Sequence, residues 1–301
     1  MASSCVPRQT FGMNEEPPQS CPAPNGATTT APAADSPAAP ATARVDAYLE
    51  RIGATRPVRP DAKALRELQL RHLMTVPFEN LSIHLGQDIV LDEEKLIDKI
   101  VTDRRGGFCY ELNGAFAALL RGLGFRVTLL QARVFGDGGE LGIPYDHMAL
   151  RVDTEDGTGP WLADVGFGDH ALRPLALDVR TDQDDPCGRF RFGGAPEGDL
   201  DLWRGDTPQF RLDLRPRALS EFRAGSWFHR TSPDSHFTRS LICSRRTEDG
   251  RVTLRGRTLI TTVRGERYTS EMAADSDVLG AYRCHFGLDL DRVPEVRKPL
   301  T

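Results

Sequence analysis

The chain has 301 residues, with a net charge of −5, 27% charged and 39% apolar residues. That balance predicts a soluble globular body with one large core or two to three modest domains, and excludes a strongly basic nucleic-acid-binding face. No apolar run approaches the ~18–20 residues of a membrane span, and no basic start leads into the apolar segment of a signal peptide. Six scattered cysteines lack a framework spacing, which predicts reduced thiols in a cytoplasmic protein.

Residues 1–42 hold eight of the 21 prolines among alanine, serine and threonine, so a disordered tail is expected. A translation start at Met13 or Val45 is compatible with that composition. From there to about residue 125 the period is helical. Val45, Tyr48, Leu49 and Ile52 form one stripe, and Asp61 caps a second helix with Leu65, Leu68 and Leu73 inward. Asp92 caps a third carrying Leu96, Ile97, Ile100 and Val101. After Gly124 the period changes to two. Phe125–Val134, Met148–Val152 and Trp161–Val165 read as strands, with shorter ones near Phe190 and Phe210, giving a β-rich region to about residue 229. Leu241–Ser244 and Arg251–Val263 read as a hairpin, and Asp277–Phe286 as a closing helix with Val278, Leu279, Tyr282 and Phe286 inward.

The chemistry concentrates around Arg104-Arg105-Gly106-Gly107-Phe108-Cys109-Tyr110-Glu111-Leu112-Asn113. Two glycines precede Cys109, and Leu112, Phe116, Leu119, Leu120 and Leu123 follow at helical spacing. Cys109 therefore falls at or just before a helix N-terminus, where the helix dipole favours thiolate over thiol. A cysteine buried as a small apolar side chain is the competing reading. A nucleophile needs a histidine base and a third group to orient it. His147 opens an alternating strand, and a turn centred near residue 156 would bring residues 164 to 166 opposite it. Asp164, an acid inside an apolar strand, would then be its cross-strand or diagonal neighbour. A structural His–Asp pair is the alternative. No spacing typical of metal ligands supports a metal site.

With Val76-Pro77-Phe78-Glu79-Asn80-Leu81, His147-Met148, Asp164-Val165-Gly166-Phe167-Gly168 and Thr231-Ser232-Pro233-Asp234-Ser235-His236-Phe237, the cysteine segment resembles the arylamine N-acetyltransferase family in motif content and order. These enzymes move acetyl from coenzyme A to aromatic amines and hydrazines. The resemblance implies a multi-domain α+β fold, with a helical bundle over 43–125, a β-barrel over 126–229 and an α/β lid over 230–301. The core would be related to cysteine peptidases and transglutaminases, carrying a Cys109–His147–Asp164 triad and working by a ping-pong mechanism. It also implies acetyl-CoA as cosubstrate, contacted by Ile143, Pro144, Phe228, Thr231, Ser232, Asp234 and Ser235. Ser226 replaces an asparagine common in relatives. Phe78, Tyr110, Phe167 and Phe228 would form the aromatic pocket for the amine or hydrazine. The glycine-rich stretch from Gly136 to Gly142 reads as a flexible loop, which the resemblance places near the cosubstrate pyrophosphate. Arg104 and Arg105 are expected to tie the cysteine loop to Glu79 or Glu111. A macrolactam-forming amide synthase fed by a carrier protein, a peptidase- or transglutaminase-like enzyme, and a non-catalytic module of this fold are the alternatives. The sequence leaves the physiological amine, the acyl chain and the oligomeric state open.

Overall fold

The computed structural model describes residues 41–297. The expected tail lies outside them except for Ala41 and Thr42, which already belong to the first helix. That helix, α1 (Ala41–Ile52), buries Val45, Tyr48, Leu49 and Ile52. Asp61 starts α2 (Ala62–Thr75) by accepting the Ala64 N–H at 2.8 Å. β1 (Phe78–Glu79) and α3 (Leu81–Leu85) follow. Asp92 then starts α4 (Glu93–Val101) by accepting from Glu94 and Lys95. Both caps occupy N–H groups that have no acceptor within the helix. Leu73 and Val101, expected inward, are only partly buried against the core. α5 (Cys109–Gly122) is apolar on most of its surface because it packs against α1, α4 and the first barrel strands.

The next eight strands form one antiparallel sheet: β2 (Arg126–Val134), β3 (His147–Asp153), β4 (Trp161–Ala163), β5 (Leu175–Ala176), β6 (Gln183–Asp185), β7 (Gly188–Gly194), β8 (Leu200–Arg204) and β9 (Thr207–Leu212). Their order is β5-β4-β3-β2-β9-β8-β7-β6. Alternate side chains, among them Leu130, Ala132, Phe190, Phe192, Phe210 and Leu212, meet in one core. The edge strands β5 and β6 share no backbone ladder. Gln183 bridges them instead, its Oε1 accepting the Ala176 N–H at 2.7 Å and its Nε2 donating to the Ala176 carbonyl at 3.0 Å. The sheet is thus a nearly closed barrel.

α6 (Arg223–Thr231) runs across residue 229, the expected boundary of the barrel, and α7 (His236–Arg239) follows. The second sheet has the order β1-β10-β11-β12-β13, with β10 (Ile242–Thr247), β11 (Gly250–Arg255), β12 (Thr258–Val263) and β13 (Glu266–Glu271). The hairpin expected from residues 241–263 is corrected here. Arg251–Val263 is two strands split at Gly256-Arg257, and β13 is exposed along its whole length, so it carries no apolar alternation to announce it. β1 pairs Phe78 with Ser244, which fastens this sheet to the helical region. Cys243, Val252 and Leu254 pack against α8 (Asp275–Ala281) and the turn of π-helix at Tyr282–Phe286. Leu279 is partly exposed, whereas Val278, Tyr282 and Phe286 are buried. Among the described residues no helix is long and apolar enough to cross a membrane, and no group of three or more His, Cys, Asp or Glu could hold a metal ion.

Candidate active site

Cys109 is the first residue of α5 and is 4% exposed. Its loop is tied down by charge. Arg105 donates from Nε to Glu79 Oε1 at 3.0 Å and from Nη1 to Gln87 Oε1 at 2.9 Å. Burial of Glu79 opposes ionisation, but Arg105, Lys99 and the Leu81 N–H outweigh it and hold the carboxyl below its ordinary range. Glu111 reaches back to the Phe108 N–H at 3.3 Å and pairs with Lys99. Arg104 is exposed, so Arg105 makes the tie expected of the two arginines.

β3 and β4 pair Leu150 with Ala163 and Val152 with Trp161. Continued past the end of β4, this register sets Asp164 diagonally from His147 on the same face. His147 Nε2 donates to Asp164 Oδ2 at 2.7 Å, and both side chains are buried. The other oxygen, Oδ1, accepts from Asn113 Nδ2 at 2.9 Å, the Gly166 N–H at 2.8 Å and the Phe167 N–H at 3.1 Å. Burial disfavours both charges. The His147 charge and the hydrogen bonds from His147 and Asn113 nevertheless hold Asp164 below the ordinary carboxyl range. For His147, the Asp164 charge and the Asp164 hydrogen bond, helped by the neighbouring Cys109, override burial and raise its pKa. Since Nε2 is occupied by Asp164, Nδ1 is the ring nitrogen left to take a proton from Cys109. A Cβ at Gly166 would lie 2.7 Å from the Cys109 Cα, so only glycine lets the Asp164 turn approach the head of α5 this closely.

Cys109 and His147 line a cavity of about 1040 Å³ between the barrel, α6, α7 and the second sheet. Of the residues expected to contact cosubstrate or amine, Phe78, Ile143, Phe167, Phe228, Asp234 and Ser235 also line it. The others are placed elsewhere. Tyr110 is fully buried, its hydroxyl donating to the carbonyls of Tyr145 at 2.7 Å and Asp146 at 3.0 Å. Thr231 turns back on its helix and donates to the Trp227 carbonyl at 2.7 Å. Ser232 Oγ accepts the Asp234 N–H at 3.2 Å in a local turn, and Pro144 is exposed outside the cavity lining. The glycine-rich loop borders the cavity, but its N–H groups at Gly136 and Gly139 bond the carbonyls of Glu140 and Gly136 within its own turn.

Over 268 residues, 84% of this chain and 91% of the relative, the sequence is 34% identical to the arylamine N-acetyltransferase / N-hydroxyarylamine O-acetyltransferase of Salmonella typhimurium. The chain belongs to the arylamine N-acetyltransferase family. Residues 61–295 match the family model described as N-acetyltransferase. The arylamine N-acetyltransferase of Mycolicibacterium smegmatis is 35% identical over 251 residues, 81% of this chain and 91% of that one. The solved Salmonella typhimurium structure superposes with a TM-score of 0.75 at 32% identity, covering 86% of this chain and 94% of that one. The Mycobacterium marinum arylamine N-acetyltransferase in complex with CoA gives a TM-score of 0.74 at 31% identity, covering 81% and 92%.

Two parts of this family member's site escape a reading by periodicity. Asn113 lies one turn after Cys109 on α5. Its amide donates to the Met148 carbonyl at 2.6 Å as well as to Asp164, and its oxygen accepts the Val165 N–H at 2.9 Å. The available signal was an amide inside an otherwise apolar helix. The second is a polar face of the second sheet, where Ser244, Arg251, Thr253, Arg255, Thr262 and Arg267 line the cavity while Cys243, Val252 and Leu254 enter the core. That alternation is visible in Arg251-Val252-Thr253-Leu254-Arg255 once the two faces are known. Arg251 is committed to Ser244 Oγ and the Gly168 carbonyl. Arg255 and Arg267 have no carboxylate partner among the described residues.

Proposed function

We propose that the protein transfers an acetyl group from acetyl-CoA to an arylamine or arylhydrazine through an acetyl-Cys109 intermediate. The single observation carrying this reading is that Cys109 lines the wall of a large cavity together with His147, which is hydrogen-bonded to Asp164, in a chain of this family. The CoA complex of the Mycobacterium marinum relative supports the choice of donor. Ile143 and Phe228 flank the route to Cys109, with Asp234 and Ser235 beside it. Arg255 and Arg267, without a carboxylate partner among the described residues, supply positive charge for phosphate groups, and Phe78 and Phe167 present apolar rings to the acceptor.

In the first half-reaction the Cys109 sulfur attacks the thioester carbonyl, with its proton taken by His147. The first N–H groups of α5, which lack the usual acceptor one turn back, are the donors we assign to the developing oxyanion. The carbon–sulfur bond to coenzyme A then breaks, and His147 returns the proton to the leaving thiolate. In the second half-reaction the amine nitrogen attacks acetyl-Cys109, His147 removes the nitrogen-bound proton, and the Cys109 thiol is restored as the amide leaves. Asp164 stays ionised throughout and stabilises the imidazolium.

Mixing the protein with acetyl-CoA, without acceptor, should add one acetyl group by intact mass, localised to Cys109. An arylhydrazine or aminobenzoate should then discharge it, giving parallel lines when both substrates are varied. Cys109→Ser should fold normally and take no acetyl. If acetyl-CoA left Cys109 unmodified while a simple activated thioester labelled it, the acetyltransferase reading would fall and the nucleophile would remain.

A further inference from the structure

A second histidine lies in the same cavity wall, on α6. His229 is 4% exposed, and its Nε2 lies 2.8 Å from Asp146 Oδ1. The same nitrogen donates to the Asp146 carbonyl at 3.2 Å, and Nδ1 hydrogen-bonds Ser235 Oγ at 3.1 Å. Ser235 in turn accepts the Phe237 N–H at the head of α7. Asp146 is the residue immediately before His147, and its Oδ2 accepts the Val134 N–H of β2 at 3.1 Å.

This bonding converges on a piece of chain that would otherwise relax. Tyr145 has φ +60°, a left-handed conformation that non-glycine residues seldom hold without outside support. Its N–H donates to Gln131 Oε1 at 2.8 Å, and its carbonyl accepts the Tyr110 hydroxyl. A Cβ at Gly225 would come within 2.3 Å of the Tyr145 carbonyl oxygen, so α6 rests directly on that peptide. Tyr110 adjoins Cys109, and Asp146 adjoins His147. One network therefore joins the neighbours of nucleophile and base to α6 and α7, which wall the cavity.

We infer that His229 is a positioning residue for acetyl transfer: by gripping Asp146 it fixes the backbone ahead of His147 and so holds the imidazole against Cys109. The inference takes its reaction from the acetyltransferase reading, but the geometry it describes belongs to the Cys109–His147 pair alone. Misplacing a catalytic group by about 1 Å can cost about a hundredfold in rate, so a loosened Tyr145–Asp146 segment has a measurable consequence.

The test compares His229→Phe, which keeps a ring but loses both nitrogens, with His229→Gln, whose amide can still donate to Asp146. Tyr110→Phe removes the other donor to the Asp146 carbonyl with little change in shape. Two rates are measured for each: alkylation of Cys109 by iodoacetamide, which needs no acyl donor, and acetylation by acetyl-CoA with its KM. His229→Phe should slow both reactions by about tenfold or more at nearly unchanged KM, with His229→Gln within about threefold of wild type. Tyr110→Phe should slow alkylation in the same sense and decides the matter if His229→Phe does not fold. Wild-type alkylation rates in the folded phenylalanine variants would overturn the inference, as would a His229→Gln variant as slow as His229→Phe. Should wild-type protein ignore acetyl-CoA while the alkylation pattern holds, the acetyltransferase reading fails and the positioning role stands.

Discussion

Asp164→Asn isolates the electrostatic half of the catalytic arrangement. Asparagine fits the same space, and its oxygen can still accept from Asn113, Gly166 and Phe167, the three donors on Oδ1. What changes is the atom facing His147, where an NH₂ replaces an oxygen that accepts from Nε2 at 2.7 Å. Two donors then oppose each other, and the imidazole relieves the clash by moving its proton to Nδ1. That nitrogen is the one Cys109 needs empty. Loss of tautomer and of imidazolium stabilisation together should slow acylation by about 10⁴, or about 5 kcal/mol of barrier. Rapid mixing with acetyl-CoA, quenching in acid and intact-mass analysis give the rate directly. A folded variant acylating within tenfold of wild type would refute the assignment of Asp164.

The same substitution has a stability signature whose sign follows from the two shifts. Asp164 is depressed, so its contribution is complete above the ordinary carboxyl pKa of about 4 and is lost as pH falls through its lower folded value. His147 is raised, so its contribution is complete below the ordinary imidazole pKa of about 6.5 and is lost as pH rises through its higher folded value. The unfolding free-energy difference between wild type and Asp164→Asn should therefore be largest between about pH 4 and 6.5.

Asn113→Ala would strand the Val165 N–H and the Met148 carbonyl and remove a donor from Asp164. It should cost about 3 kcal/mol in urea unfolding and slow acylation, and a stability loss under about 1 kcal/mol would contradict the bonding described. Arg105→Ala leaves the fully buried Glu79 unpaired and should cost about 3–5 kcal/mol. Double replacement of Arg255 and Arg267 by alanine should raise KM for acetyl-CoA while kcat stays within about twofold, since both arginines line the cavity without a carboxylate partner among the described residues. A fall in kcat at constant KM would move them out of the binding role.

Much of the site could be read because its determinants are local. Helical spacing after Gly107 sets Cys109 at the head of α5, and a turn centred near residue 156 puts Asp164 beside His147 as soon as two apolar strands flank it. Asp61 and Asp92 cap helices with groups two and three residues away. Such patterns repeat every two or about four residues, so a linear reading detects them. The remaining features depend on which faces meet. Tyr110 sits in a motif suited to a pocket, yet its hydroxyl is drawn inward because the Tyr145 and Asp146 carbonyls need a donor that no neighbouring strand supplies. Asn113 reaches a turn more than fifty residues away. The arginines of β11 and β13 face the cavity only because the alternate residues of β11 cover α8 and because β1, from the helical region, pairs with β10. Composition and period fixed the elements of this protein; contacts between residues distant in sequence decided what each exposed or buried side chain would touch.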